Sequence, residues 1–238
     1  MLFNSYIFIF LFLPLALIGY FVLNRLGRNM YAKVFLLVMS LWFYGYFNYT
    51  YLAVIISSIA VNYAVVYLMR RYPGRKKLCL AAGLVFDIGM LFYFKYFDFF
   101  LTNVNAVFNL SFTMRNIVLP LGISFFTFQQ ISYVVDAYHG ETDDESFLDY
   151  AVFVTFFPQL IAGPIVTHDE LIPQIKDENR QRPDYGNLSK GLMIFAAGMF
   201  KKVIIADTFG GIADWGFEDI AAMSSIDAFL VMFSYTMQ

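Results

Sequence analysis

The chain of 238 residues has a single cysteine, Cys79, so no disulfide can form within it and a scaffold stapled by disulfides is excluded. Cys79 lies in an apolar run and reads as a small hydrophobe rather than a reactive thiol. Histidine is nearly as scarce, with only His139 and His168. Charged residues make up 14% of the chain, against about 25% in soluble domains, which excludes an ordinary soluble globular fold. No GxSxG elbow, P-loop, dinucleotide fingerprint or HExxH motif occurs, so the usual soluble-enzyme chemistries find no support. Short-period repeats, low-complexity tracts and polar linkers are also missing. One membrane domain over 1–238 is the reading.

Apolar residues, by contrast, reach 60%, and mean hydropathy is +0.62. With 29 Phe and 17 Tyr, aromatics make up 20%, as lipid-facing surfaces and interfacial belts require. The expected fold is all-α, a polytopic transmembrane helical bundle. Spans are expected at about 6–23, 31–48, 51–69, 78–97, 117–138, 147–165 (broken or re-entrant), 188–206 and 226–238. The stretch 99–110 is too short to cross and is assigned to the interface. The last run opens at Ile226 and reaches Gln238, short of the roughly 20 residues a span needs. The chain is therefore expected to be the truncated, N-terminal part of a longer protein.

The net charge of -2 hides an asymmetry. Basic residues of the first half cluster in two short loops, Arg25, Arg28 and Lys33, then Arg70, Arg71, Arg75, Lys76 and Lys77. Between them the turn at Asn48-Tyr-Thr50 carries no charge. The positive-inside rule places both clusters in the cytoplasm and the N-terminus outside. The expected location is the cell's inner membrane, multi-pass. Arg25 follows the first apolar core and no basic residue precedes it, so a retained first span is favoured over a cleaved signal peptide.

Two patterns predict helix starts. Thr142-Asp-Asp-Glu145 ahead of Phe147 fits a capping box, and Ser224-x-x-Asp227 fits another with Asp in place of Glu. Pro158, Gly163 and Pro164 must break or kink the helix between them. If 147–165 crosses fully, the loop 167–187 lies outside; if it is re-entrant, that loop is cytoplasmic. The broken backbone favours the second topology, the loop's slight acidity the first.

Ionisable or polar groups within apolar spans are expensive and mark candidate sites. Asp87 sits near the middle of the fourth run, where it serves either as an interhelical hydrogen-bond partner of Asn62 or in a pathway. Lys95, near the end of that run, can snorkel to the interface. Gly122, Phe126, Gln129, Tyr133 and Asp136 recur at helical spacing and share one face. That face is expected to point inward, lining a tunnel or stitching helices together, because lipid offers its polar groups no partner. Gln159 sits in the broken segment as another interior amide. Lys201 and Lys202 interrupt an apolar run and are either an interfacial anchor or an anion site. His139 and His168 lie just outside apolar runs, belong to no metal-like cluster, and are assigned structural or interfacial roles, with no histidine in a buried polar site.

Several strings then resemble those of membrane-bound O-acyltransferases (MBOAT) of the alginate O-acetyltransferase type. They are Asn48-Tyr-Thr-Tyr-Leu52, Phe92-Tyr-Phe-Lys-Tyr-Phe97, Leu119-Pro-Leu-Gly-Ile-Ser-Phe-Phe-Thr-Phe-Gln129, Tyr133-Val-Val-Asp-Ala-Tyr138, Phe157-Pro-Gln-Leu-Ile-Ala-Gly-Pro164 and Lys201-Lys-Val-Ile-Ile-Ala-Asp207. They follow the family's order over most of the chain. The resemblance implies a helical funnel that passes an acyl group from a cytoplasmic donor, acetyl-CoA or another acyl donor, toward an extracytoplasmic, alginate-like polysaccharide. It implies as partners the bilayer and either the polymer itself or a downstream extracytoplasmic acetyltransferase, with no nucleic acid and no bound cofactor or metal. It also implies that the family's catalytic histidine lies beyond residue 238, because neither His139 nor His168 occupies that motif. The 238 residues alone are thus expected to be inactive. Transfer of D-alanine to teichoic acid by relatives of the same architecture, and a transporter or flippase suited to Asp87, Asp136 and a broken helix, are the alternatives. An inverted repeat of these spans in a longer sequence would favour the transporter.

Overall fold

The computed structural model of the protein describes residues 1–115, 117–142, 145–160, 163–164, 166–218, 220 and 223–238. Among them every regular element is helical, the form in which a chain in lipid satisfies its own backbone. The chain divides into two compact units, one of Met1 and 13–182, the other of 2–12 and 183–238.

The first unit contains α1 (Leu13–Arg25), α2 (Asn29–Gly45) and α3 (Thr50–Arg71). A 3-10 turn, Pro73–Arg75, leads into α4 (Lys76–Leu91), which continues through a π-helical turn, Phe92–Tyr96, into α5 (Phe97–Phe108). The interfacial stretch expected at 99–110 is therefore the end of one helix that begins at Pro73. Its 36 residues rise about 54 Å, far beyond a hydrocarbon core of roughly 30 Å. The polar end of α5 is used locally. Asp98 accepts from the backbone N–H groups of Arg115 and Ile117, each at 3.1 Å, and Asn105 exchanges two bonds with Phe112, holding the following extended strip beside the helix.

The fifth apolar run starts its helix later than its hydropathy suggests. Pro120 cannot donate, and Gly122 takes a left-handed φ of 70°, so α6 spans Ile123–His139. Gly122 thus precedes the polar face it was expected to join. Gly140, at φ 88°, closes α6.

Then comes α7 (Phe147–Thr155), one turn α8 (Phe157–Leu160), and α9 (His168–Lys176). The capping box at the start of α7 is Ser146 with Asp149: Asp149 N–H donates to Ser146 Oγ at 3.2 Å, and Ser146 N–H to Asp149 Oδ2 at 3.2 Å. This corrects the expected Thr142–Glu145 box, whose two middle residues lie outside the described ones. Residues 149–155 are all buried, so the core of the unit forms around α7, from Ile55, Ile59 and Val66 of α3, Phe126, Tyr133 and Val134 of α6, and Tyr44 of α2.

In the second unit α10 (Tyr185–Met199) begins at Asp184, whose carboxylate accepts from Gly186 N–H and Asn187 N–H at 2.8 and 3.2 Å. A π-helical stretch, Phe200–Ala206, carries α10 into α11 (Asp207–Glu218), past the end expected near 206. The final helix, α12 (Ser225–Met237), starts at the Ser224–Asp227 box as the sequence predicts.

Three helical stretches among the described residues are long and apolar enough to cross a membrane: Phe8–Arg25, Thr50–Arg71 and Pro73–Phe108. With 17 residues each, α2 and α6 rise about 26 Å, close to that thickness.

Helices α11 and α12 meet at Gly216. A Cβ there would stand 2.7 Å from Val231 Cγ1 and closer still to Cγ2, and a β-branched valine has little room to turn. Gly216→Ala is expected to destabilise this pair by about 1–3 kcal/mol, and adding Val231→Ala should recover most of the loss. Thermal unfolding of the intact protein in detergent tests this; an unchanged midpoint for Gly216→Ala would show that the helices are not held this closely.

Candidate functional site

Sequence and packing converge on the end of α6. Tyr133 is fully buried, stacks on Tyr150 of α7 (ring centroids 4.2 Å apart) and meets His168 edge-on at 5.4 Å. One turn further along, Asp136 places Oδ2 3.2 Å from His168 Nε2. On the other side of the ring Nδ1 lies 2.8 Å from Glu145 Oε1. His168 is only 3% exposed. This overturns the expectation that no histidine occupies a buried polar site. The signal was not periodic: Asp136, Glu145 and His168 come from three elements and share no helix face.

Two ring nitrogens facing two carboxylates favour the charged form of the ring. Only the doubly protonated ring donates from both nitrogens. The hydrogen bond to Glu145 raises the imidazole pKa above its ordinary value; burial opposes this, and the charges of Glu145, Asp136 and Asp169 add to the rise. So held, with both ring nitrogens engaged and the protonated form favoured, His168 clamps Asp136 to Glu145.

More cations fasten the same region. Arg70, in the last turn of α3, donates to the carbonyls of Thr142 and Glu145 and, at 3.2 Å, to Thr142 Oγ1. Asp149 pairs with Lys33 of α2 at 2.6 Å and with Lys176 of α9 at 3.6 Å. Thr142 and Glu145, the residues of the expected cap, are thus engaged by Arg70 and His168 instead. Chain that leaves at Glu145 returns to it at His168, so α7, α8 and the turn between them form an excursion whose two ends are tied together beside both basic loops.

At its far end the excursion shows how a broken helix is satisfied. In a continuous helix Phe157 N–H would bond to the carbonyl of Phe153. Instead Phe157 N–H donates to Ser40 Oγ of α2 at 3.3 Å, and the Phe153 carbonyl accepts from Gln159 Nε2 at 2.8 Å. Gln159 is buried and replaces a backbone partner.

A second polar group lies deeper between α3, α4 and α6. Asn62 Nδ2 donates to Asp87 Oδ1 at 2.7 Å, the pairing the sequence offered as one of two roles for Asp87. It also donates to Gln130 Oε1, which accepts from Ser58 Oγ at 2.7 Å. The amide in this network is Gln130, which sequence reasoning passed over because it lies one residue off the polar stripe. Gln129 is itself buried, and its Oε1 has no hydrogen-bond partner among the described residues. Lys95 Nζ donates to Ser124 Oγ at 3.2 Å. Lys202 pairs with Asp207 in the second unit, and both Lys201 and Lys202 are exposed. His139 is exposed at the end of α6. No group of three metal-ligating side chains occurs among the described residues.

The family model of the membrane-bound O-acyltransferases matches residues 36–238. The chain belongs to that family. Over its whole length it is 42% identical to the peptidoglycan O-acetyltransferase of Helicobacter pylori, of which it covers 50%. It is 36% identical to the probable alginate O-acetylase AlgI of Pseudomonas putida and 34% to that of Pseudomonas aeruginosa, covering 49% and 46% of them. The chain thus spans about half the length of the curated relatives it matches. No solved structure matches it at the same stringency. The clamp around His168 and the Asn62–Asp87 network accordingly belong to the helical scaffold of an MBOAT membrane protein.

Proposed function

We propose that this MBOAT protein moves acetyl groups from a cytoplasmic donor, acetyl-CoA or another acyl donor, to a glycan outside the membrane, with peptidoglycan the preferred acceptor. The observation behind this reading is the 42% identity over the whole chain to a peptidoglycan O-acetyltransferase, above the 34–36% to the two alginate O-acetylases. An apolar helical scaffold that carries buried polar groups suits transfer across a bilayer. The test is to compare muropeptides from cells with and without the gene by mass spectrometry, before and after mild base. Loss of base-labile acetyl groups with the gene, and their return on complementation, is expected. Unchanged muropeptides would sink the peptidoglycan reading, and deacetylation of a secreted polysaccharide instead would favour the alginate-type acceptor.

The same proposal carries an orientation. The loops around Arg28 and Arg75 face the cytoplasm because their basic charge is uncompensated by sequence neighbours. The tied ends of the excursion at Glu145 and His168 lie with them, since Lys33 and Arg70 reach both α7 and its approach. Segment 147–165 is then re-entrant, and the loop 167–187 is cytoplasmic. In a Cys79→Ser background, single cysteines at 28, 75 and 178 are expected to resist an impermeant maleimide in intact cells and to react after permeabilisation. Labelling of position 178 alone in intact cells would mean that the excursion crosses.

A further inference from the structure

At the foot of α4 a cavity of about 620 Å³ opens between Pro73, Gly74, Arg75, Lys76, Lys77 and Leu78 on one side and Tyr138 and His139 of α6 on the other. Three consecutive cations therefore meet an imidazole and a phenol brought to them from more than 60 residues away. No carboxylate lines this cavity among the described residues, and none pairs with Arg75, Lys76 or Lys77. A topology signal alone requires charge but no concave surface. Here the charge lines an open groove whose far side is formed by Tyr138 and His139 of α6.

We propose that this cavity is a phosphate-binding site, which takes a phosphate monoester or diester carried on a larger organic group. Phosphate suits it better than a carboxylate because its oxygens present separate acceptors to a bidentate guanidinium and to two compact ammonium groups. The volume falls within the range of ordinary ligand sites and leaves room beyond a single phosphate, beside the Tyr138 ring. Such a group can come from a soluble nucleotide-linked donor or from an anionic lipid headgroup. The assignment stands apart from the choice of acceptor glycan, because it rests on this cavity alone.

The test uses the intact protein in nanodiscs of neutral phosphatidylcholine. Titration calorimetry with adenosine 3′,5′-bisphosphate and with pyrophosphate reads the soluble source. Native mass spectrometry in nanodiscs doped with phosphatidylglycerol reads the lipid source. Saturable binding of either kind, weakened about tenfold or more by Arg75→Gln and again by Lys77→Gln, is expected, the worth of one charge-assisted hydrogen bond each. Arg28→Gln, an exposed arginine away from the cavity, should leave binding unchanged. Thermal unfolding run in parallel identifies any variant that fails to fold, and Arg75→Lys, which keeps the charge, replaces it. No saturable binding of either probe or of the lipid would overturn the proposal. So would an Arg28→Gln loss equal to that of Arg75→Gln, which would mark a diffuse surface effect.

Discussion

His168→Leu is expected to destabilise the intact protein by about 3–5 kcal/mol, the usual cost of removing one partner from a buried ion pair. The substitution leaves Asp136 and Glu145 facing one another across an apolar side chain, with the imidazolium that separated them gone. His168→Arg, which keeps a cation with several donors, should retain more of the stability than His168→Leu. The effect depends on pH in a defined direction. The folded-state pKa of His168 is raised above an unfolded value of about 6.5. Its contribution is therefore full below pH of about 6.5 and declines as pH rises through the folded-state pKa. The gap in thermal midpoint between the natural protein and His168→Leu should be largest near pH 6 and narrow toward alkaline pH. Because the clamp ties the two ends of the excursion, limited proteolysis of the 167–182 segment should accelerate in the variant. Equal midpoints at pH 6 would show that the clamp carries no stability.

A smaller loss is expected at the Asn62–Asp87 network. One interhelical hydrogen bond in a membrane protein is worth only about 0.6 kcal/mol on average. Asn62, however, serves two acceptors on two different helices, Asp87 on α4 and Gln130 on α6. Asn62→Leu strands Asp87 in a dry interior, while Gln130 Oε1 keeps its bond from Ser58 Oγ; a buried polar group left without a partner costs about 1–3 kcal/mol. The double variant Asn62→Leu/Asp87→Leu removes the stranded acceptor with its donor and should melt above the single Asn62→Leu protein. A double-mutant cycle by thermal unfolding reads the coupling. Strict additivity of Asn62→Leu and Asp87→Leu would show that the two side chains do not cooperate.

These two sites differ in how far they could be read before the fold was known. Asp87 and Asn62 stood out because each is a polar residue within an apolar run, and lipid leaves such residues few partners. His168 did not stand out, since it lies in a polar stretch where a histidine ordinarily meets water. The two possible caps before Phe147 make the same point. Thr142…Glu145 and Ser146…Asp149 are both Ser/Thr followed three residues later by an acid, and local chemistry does not rank them. Arg70 engages Thr142 and His168 engages Glu145, which leaves Ser146 and Asp149 to start the helix. At Ser224, where no such competitor intervenes, the box reads correctly from the sequence.

What the sequence determined by itself follows from solvation. Long apolar runs with little charge require helices, Pro158 with Gly163 and Pro164 requires a break, and polar residues at helical spacing require an inward face. The strings that mark the family are likewise local and readable in order. What only the tertiary structure decided are the choices between equivalent local options: that α4 and α5 run on as one helix, with Asp98 accepting from Arg115 N–H and Ile117 N–H, that Gln130 and not Gln129 joins Asn62, and that His168 returns to Glu145. Each depends on groups 17 to 68 residues apart in the chain. Their energies come from desolvated charge and hydrogen bonding, which take a value only once packing has excluded water.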